Sequence, residues 1–478
     1  MASRSSARAN GAHREKSPRL SSHPNSRDAA LPSHRGDVVN KTHGGGRRGR
    51  RALRVKPEGE SGRRGVDPLH FFKIIWRSTS YLSRAVNVLW PVVPAAIAVY
   101  YSVEEQHTLK FILAYIAMVP CANLIGFAGQ ELARKMPQVL GVLTETTIAS
   151  IVEIILFMVL LRREEYVLIQ GAILGSILAT MLLCLGTCFI ASGVRRDDAT
   201  FDETISEAGS GLLLTAGVGL AVPAIFERSL SSYVDSQRLA STDLDSKVLS
   251  ISRAVAILLL LSYALFIWFQ TRTHHGLFTA MFEHDEARDH DREKDLSKAK
   301  LTLTECVLAL AISVTLVTFI AIILVEQINP MIEEHGITDP FMGLILVPLV
   351  EKAAEHLTAI DEAWDNQMNF ALIHCVGATL QTALLNTPLV VLVGWGTGKS
   401  MSLNFEIFDM AMLLLAILTV GNFLRDQKTN YLEGFLCVVV YVAIAVAAFY
   451  FPDVGHTTAT SENGEATEHL IAKAVGAF

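Results

Sequence analysis

The sequence predicts an all-α polytopic membrane protein of about eleven transmembrane helices, one N-terminal helix followed by two inverted five-helix repeats. Three observations carry that reading. Of the 478 residues, 51% are apolar and 18% charged, and the mean hydropathy is +0.36, which argues against a water-soluble enzyme. Apolar runs of about 20 residues recur from Val86 onward, the length that crosses a hydrocarbon core of about 30 Å at 1.5 Å per residue. A constant internal offset of 202 residues then relates the first group of runs to the second: Glu153 falls on Glu355, Gly175 on Gly377, Leu178 on Leu380, Thr180 on Thr382 and Leu183 on Leu385.

Residues 1–66 carry 16 Lys/Arg against 5 Asp/Glu, a charge of +11, and the remainder, 25 minus 42, is −17. The tail is rich in Arg, Ser, Gly and His and poor in aromatic residues, so it is expected to be disordered. Its run GGGRRGRRALRVK could meet nucleic acid or anionic lipid, but a basic tail before a first span is more simply the orienting charge of a membrane protein, and no nucleic-acid partner is expected. No cleavable signal is read, because the first apolar run starts too far along the chain.

The spans are placed at 86–102, 109–131, 140–161, 166–192, 209–227, 249–271, 301–326, 341–360, 369–395, 404–424 and 431–451. Two of them, 140–161 and 341–360, are half polar through TETTIAS and EKAAEHLTAIDEA, and are expected inside the bundle. Arg134/Lys135, Arg195/Arg196, Arg272 and Arg425/Lys428 fall on the side of the basic tail, which places that side in the cytoplasm; Arg162/Arg163, Arg228 and Arg238 run against the trend. The odd count puts the tail after Pro452 in a lumen or outside the cell.

Between spans six and seven, Glu283 to Lys300 carries seven acids and five bases. It reads either as a solvated helix with i, i+4 ion pairs or as a cation-sensing segment. The domains are therefore 1–66, a basic cytoplasmic tail; 67–271, the first helix and first repeat; 272–300, the charged loop; 301–452, the second repeat; and 453–478, a short lumenal tail. The six cysteines lie inside apolar runs without a Cys-x-x-Cys pair and read as packing residues.

An odd number of helices per repeat turns the second copy upside down, and such repeats place a substrate site at their interface near the bilayer midplane. Glu153 and Glu355 are intramembrane acids on both copies. Each alone would be costly to ionise, a bound cation relieves that cost, and a facing pair alternates between protonated and metal-bound states. The competing reading is a pair of structural glutamates held by helix-helix hydrogen bonds or a lysine. Ser176, Thr379 and Gln381, among Gly171, Gly175, Gly377 and Ala378, could complete an oxygen-rich cation site, or the small residues could serve only helix packing.

The segments EEHGITDPFMGLILVPLV, EKAAEHLTAI, LVVLVGWGTGKSMSLNFEIFD and NYLEGF, with VEIILFMVLL, VLIQGAILGSIL and GLAVPAIF in the first half, resemble the cation/proton exchangers of vacuolar membranes, the calcium/proton antiporter family, over roughly residues 85–452. The resemblance implies exchange of cytosolic calcium, or manganese, for lumenal protons in the vacuolar or another acidic membrane, with Glu153, Glu355, Ser150, Ser176, Thr379 and Gln381 as metal positions. It implies no resident cofactor; the partners are the bilayer, the cation and protons, with a homo-oligomer left open.

The departures fall on the signature. Where the family has Gly-Asn-x-x-Glu twice, this chain has Ala149-Ser150-Ile151-Val152-Glu153 and Glu351-Lys352-Ala353-Ala354-Glu355, and Glu145 replaces an Asn. Lys352, if charged, stands in for the cation; if it snorkels to a vestibule, Glu351 and Glu145 make the site more acidic than the family's. The alternative function is a transport-inactive homologue that regulates or assembles with an active exchanger. No enzyme motif such as His-Glu-x-x-His, a P-loop or Gly-x-Ser-x-Gly is present, so the chain is not read as an enzyme.

Overall fold

The computed structural model describes residues 61, 65–77, 80–235, 240–289 and 297–451. The expectations for most of the basic tail, for part of the charged loop and for the C-terminal tail lie outside the described residues. Among the described residues, ten helices are long and apolar enough to span a bilayer: α2 Leu82–Ser102, α3 His107–Ala133, α4 Gln138–Arg163, α5 Tyr166–Gly193, α6 Glu203–Ser231, α7 Ser241–Thr273, α9 Leu303–His335, α11 Met368–Gly396, α12 Ile407–Asp426 and α13 Tyr431–Phe449. Three further helices lie among the described residues: α1 Pro68–Arg77 before them, α8 His275–Arg288 between α7 and α9, and α10, residues 339–364, where the span 341–360 was expected. α10 falls short on composition because its second half is polar.

Burial sorts these helices. The apolar stretch of α5 is 83% buried and that of α11 72%, against 22% for α2 and for α7. Thus α5 and α11 form the centre, while α7 turns Leu258, Leu261 and Leu265 outward, the face a hydrocarbon solvent accepts. Glycines let the centre close. A Cβ on Gly175 would stand 2.1 Å from the Leu344 carbonyl oxygen of α10, and one on Gly171 3.2 Å from Gly343 Cα, so both positions are fixed by helix contact. Gly377 differs, since a Cβ there would meet only Ile373 Cγ2 at 3.8 Å.

Both half-polar helices are broken, at matching positions. α4 divides into Gln138–Ala149 and Ile151–Arg163 at Ser150, with φ −71° and ψ −4°, and α10 divides after Glu351 at Lys352, with φ −89° and ψ −3°. The difference, 352 − 150, is the sequence offset of 202. A second correspondence follows: α5 is wound as a π-helix over Ala179–Cys184 and α11 over Thr382–Asn386, again displaced by 202 at the C-terminal end. At these two places the duplicated chain repeats a helix irregularity as well as its residues.

Two expectations need correction. The polar start of α4 is not wholly interior: Thr147 is exposed and its hydroxyl folds back to the Leu143 carbonyl at 2.7 Å, which satisfies it without a neighbour. The charged loop is not simply solvated: Asp285 on α8 is fully buried and accepts hydrogen bonds from the Asn369 side chain (2.8 Å), the Asn369 amide (2.8 Å) and the Phe370 amide (3.2 Å). It caps α11, whose first amides have no helical partner. Gln138 of α4 donates to Glu286 at 2.5 Å, so α8 ties the start of α4 in the first half to the start of α11 in the second. A two-residue ladder, β1 Ala199–Thr200 with β2 Lys428–Thr429, joins the halves elsewhere.

Candidate functional site

The two breaks point their following turns at each other. Glu153 lies one turn beyond Ser150 and Glu355 one turn beyond Lys352, and the ammonium of Lys352 fills the space between them. Its Nζ is 2.8 Å from Glu153 Oε2 and 3.2 Å from Glu355 Oε2. Lys352 and Glu153 are each 1% exposed. A buried ammonium survives only where carboxylates and hydrogen bonds replace its lost hydration, and here both repeats supply one carboxylate. The reading in which Lys352 snorkels to a vestibule is therefore overturned: the side chain is too well paired and too deeply buried.

Glu153 Oε2 is the hub of this cluster. Besides Lys352 it accepts from Thr382 Oγ1 at 2.9 Å and from Asn386 Nδ2 at 2.7 Å, both on the π-wound stretch of α11. The wider winding aims two successive polar positions, four residues apart, at one oxygen. Thr382 entered the sequence reading only as a repeat partner of Thr180, and Asn386 not at all. The signal available was their offset from Thr180 and Cys184.

Around this hub the partners run out. Glu153 Oε1 and Asn386 Oδ1 are buried without a hydrogen bond, and the carboxylate of Glu351 has no partner in the cluster beyond the neighbouring Ser176 hydroxyl. Glu351 belongs to the same charged cluster, close to Glu153, Lys352 and Glu355 and beside Ser176. Native proteins pair nearly all such atoms, and a group of unpaired buried oxygens is the arrangement a cation or ordered water completes.

The other residues singled out from sequence divide. Ser150 and Thr379 are buried, but their hydroxyls donate to the Thr147 carbonyl (3.0 Å) and the Cys375 carbonyl (2.7 Å) of their own helices. Gln381 is buried with its amide nitrogen unpaired, and Ala149 ends the first segment of α4. Glu145 does not join the cluster. It faces His374 of α11, 3.6 Å from Nε2, while Glu362 of α10 holds Nδ1 at 2.6 Å. Glu362 also lines a cavity of about 650 Å³ with Thr358, Asp361 and Asp365, so the polar residues of the last two turns of α10 face this cavity rather than lipid.

Comparison with known proteins agrees with this architecture. The sodium/calcium exchanger protein family matches residues 107–272 and 306–450. The vacuolar calcium ion transporter of Schizosaccharomyces pombe is 32% identical over 342 residues, covering 72% of this chain and 79% of that protein. Vacuolar cation/proton exchanger 2 of Arabidopsis thaliana is 30% identical over 374 residues, 77% of this chain and 81% of that one. Among solved structures, native YfkE superposes with a TM-score of 0.60 at 23% identity over 76% of this chain and 100% of its own. The H+/Ca2+ exchanger CAX superposes with 0.53 at 12% identity over 78% and 90%. At these identities the structural likeness is one of fold.

Proposed function

The chain belongs to the sodium/calcium exchanger protein family, a family of transporters rather than enzymes, and from that membership and the geometry of the site we propose that it is a secondary-active antiporter exchanging a divalent cation, calcium or manganese, for protons. The relatives named as vacuolar calcium and cation/proton exchangers support the reaction class. The single observation that carries the reading is the ammonium of Lys352 lying 2.8 Å and 3.2 Å from the glutamates of the two repeats. A positive charge is already bound there, so the centre is built to hold one.

Charge balance says how the exchange runs. Glu153, Glu351 and Glu355 against Lys352 leave a formal charge of −2 when all are ionised, and one divalent ion or two protons neutralise it. The incoming cation takes the buried oxygens of Glu153, Glu351, Ser176, Thr180 and Asn386, with Glu355, Ser150, Thr379 and Gln381 in reach along the same helices. Lys352 acts as a tethered competitor: it keeps the carboxylates paired when the cation leaves, which avoids the cost of an orphaned buried charge. In this reading residues 67–271 and 301–452 are the two halves, and the loop 272–300 joins them. The basic tail is cytoplasmic and the C-terminus lumenal, in the vacuolar or another acidic membrane.

The test is uptake of radioactive calcium into proteoliposomes of the pure protein, with and without an imposed pH gradient, and with manganese as competitor. Uptake that appears only with the gradient is the expected result. The same lysine favours a second reading, in which the ammonium never yields and the chain is a transport-inactive partner of an active exchanger. Absence of uptake in folded protein, together with its appearance in a Glu351→Gly, Lys352→Asn double variant, would select that reading.

A further inference from the structure

Three cysteines that the exchange centre does not use converge where its two central helices meet. Cys184 and Cys188 stand one turn apart on α5, and Cys375 comes from α11. The Cys184 and Cys375 sulfurs are 3.5 Å apart and the Cys188 and Cys375 sulfurs 4.0 Å, with all three within 4.8 Å of one another. None is in a disulfide, and all are buried. The helices are irregular at this contact: Cys184 closes the π segment Ala179–Cys184, and Cys375 lies at the middle of another, Ile373–Gly377. Lone buried thiols are ordinary packing residues; here Cys184 and Cys188, four residues apart, share a helix face, and Cys375 meets them from the other central helix, so that three sulfurs from two helices face one point.

The spacing has a chemical meaning. A point equidistant from three sulfurs so arranged lies about 2.3 Å from each, the length of a zinc–thiolate bond. Thiolates select soft ions over calcium or magnesium. We propose that Cys184, Cys188 and Cys375 form a binding site for a thiophilic cation of the zinc, cadmium or copper(I) class, separate from the exchange centre. A divalent ion held by two thiolates and one thiol is neutral overall, so its burial adds no net charge, and its binding releases two protons from the thiols. Because α5 belongs to the first half and α11 to the second, an ion there pins the central helices of the two halves together.

The test uses the full chain, purified and reduced in detergent and titrated with cadmium chloride, read by the sulfur-to-cadmium charge-transfer absorption and by thermal unfolding. One ion per chain and a raised unfolding temperature are expected. Zinc X-ray absorption of the loaded protein should show a sulfur shell at about 2.3 Å. Cys375→Ser should weaken cadmium binding at least about tenfold, since even indirect changes around a metal do as much, whereas Cys121→Ser, at a buried cysteine elsewhere, should leave it unchanged. Should Cys375→Ser fail to fold, Cys188→Ala decides by the same readings. No absorption band, a band unchanged in both site variants, or a shell of nitrogen and oxygen alone would overturn the proposal.

Discussion

The broken helix of the first half and the broken helix of the second share a backbone and differ in charge. Both interrupt one turn before a glutamate that contacts the Lys352 ammonium, at Ser150 and at Lys352, with nearly equal dihedrals. The residues at the first break are Ala149 and Ser150, and those at the second Glu351 and Lys352. The break itself needs only a place where a turn of helix is left without its i, i−4 partner, which many residues permit. What fills the space in front of it is decided by side chains. A duplicated scaffold can thus keep its geometry while one copy acquires an acid and a base of its own.

The largest effect should come from the residues the two halves share. Glu153→Gln and Glu355→Gln keep size and polarity but remove the titratable charge, and each should abolish pH-driven uptake; full uptake in either would show that the halves do not act as a pair. Glu153→Ala goes further, because it strands the Lys352 ammonium and the donors Thr382 and Asn386. A loss of about 3–5 kcal/mol is expected, measured by thermal or denaturant unfolding in detergent.

Next is the asymmetry itself. Replacing Glu351 by Ala and Lys352 by Ser together writes the first break into the second and removes one acid and one base, so the formal charge of the cluster stays at −2 but rests on Glu153 and Glu355 without their ammonium partner. Calcium affinity should then rise relative to the parent, read by isothermal titration; an unchanged or lower affinity in folded protein would mean that the ammonium does not compete with the cation.

A finer comparison sets Thr382 against its repeat partner Thr180. Thr382 donates to Glu153, whereas Thr180 Oγ1 is buried without a partner. Thr382→Val should cost about 1 kcal/mol and Thr180→Val nothing or a small gain, since burying an unpaired hydroxyl is itself unfavourable. Equal costs in the two unfolding curves would erase the distinction between the halves at this level.

The smallest effect concerns the α8 clasp outside the spans. Burial pushes the Asp285 carboxyl above its usual range, opposed by the hydrogen bonds from Asn369 and Phe370. An acid whose folded value is raised contributes its full stability below the unfolded value of about 3.9 and loses it as pH rises through the folded value. Amide exchange at Asn369 and Phe370, corrected for the intrinsic rate, should therefore speed up from mildly acid to neutral pH. Asp285→Asn should flatten that slope; a slope that persists would assign it to another group.

Much of the site could be read from the chain because its signals are local or periodic. A hydrocarbon solvent demands long apolar helices, so the spans announce themselves within a few residues. Glu153 and Glu355 stood out because an acid in such a run is costly, and the offset of 202 joined them without any knowledge of contact. His374, Glu362 and Asp285 gave no comparable signal: each looks like an ordinary polar residue near a helix end, and its meaning lies in a partner far away in sequence.

By itself, then, the sequence determined the membrane class, the repeat and the two acids, since apolar length and internal periodicity survive any folding of the helices against each other. Only the tertiary structure decided what surrounds those acids. It sent Lys352 inward to Glu153 and Glu355 rather than outward to water, drew Glu145 away to His374, and brought Cys375 to Cys184 and Cys188. Those outcomes depend on distances between helices and on the phase of their π turns, where one extra residue per turn rotates a side chain from one neighbour to another, and neither composition nor spacing along the chain fixes that phase.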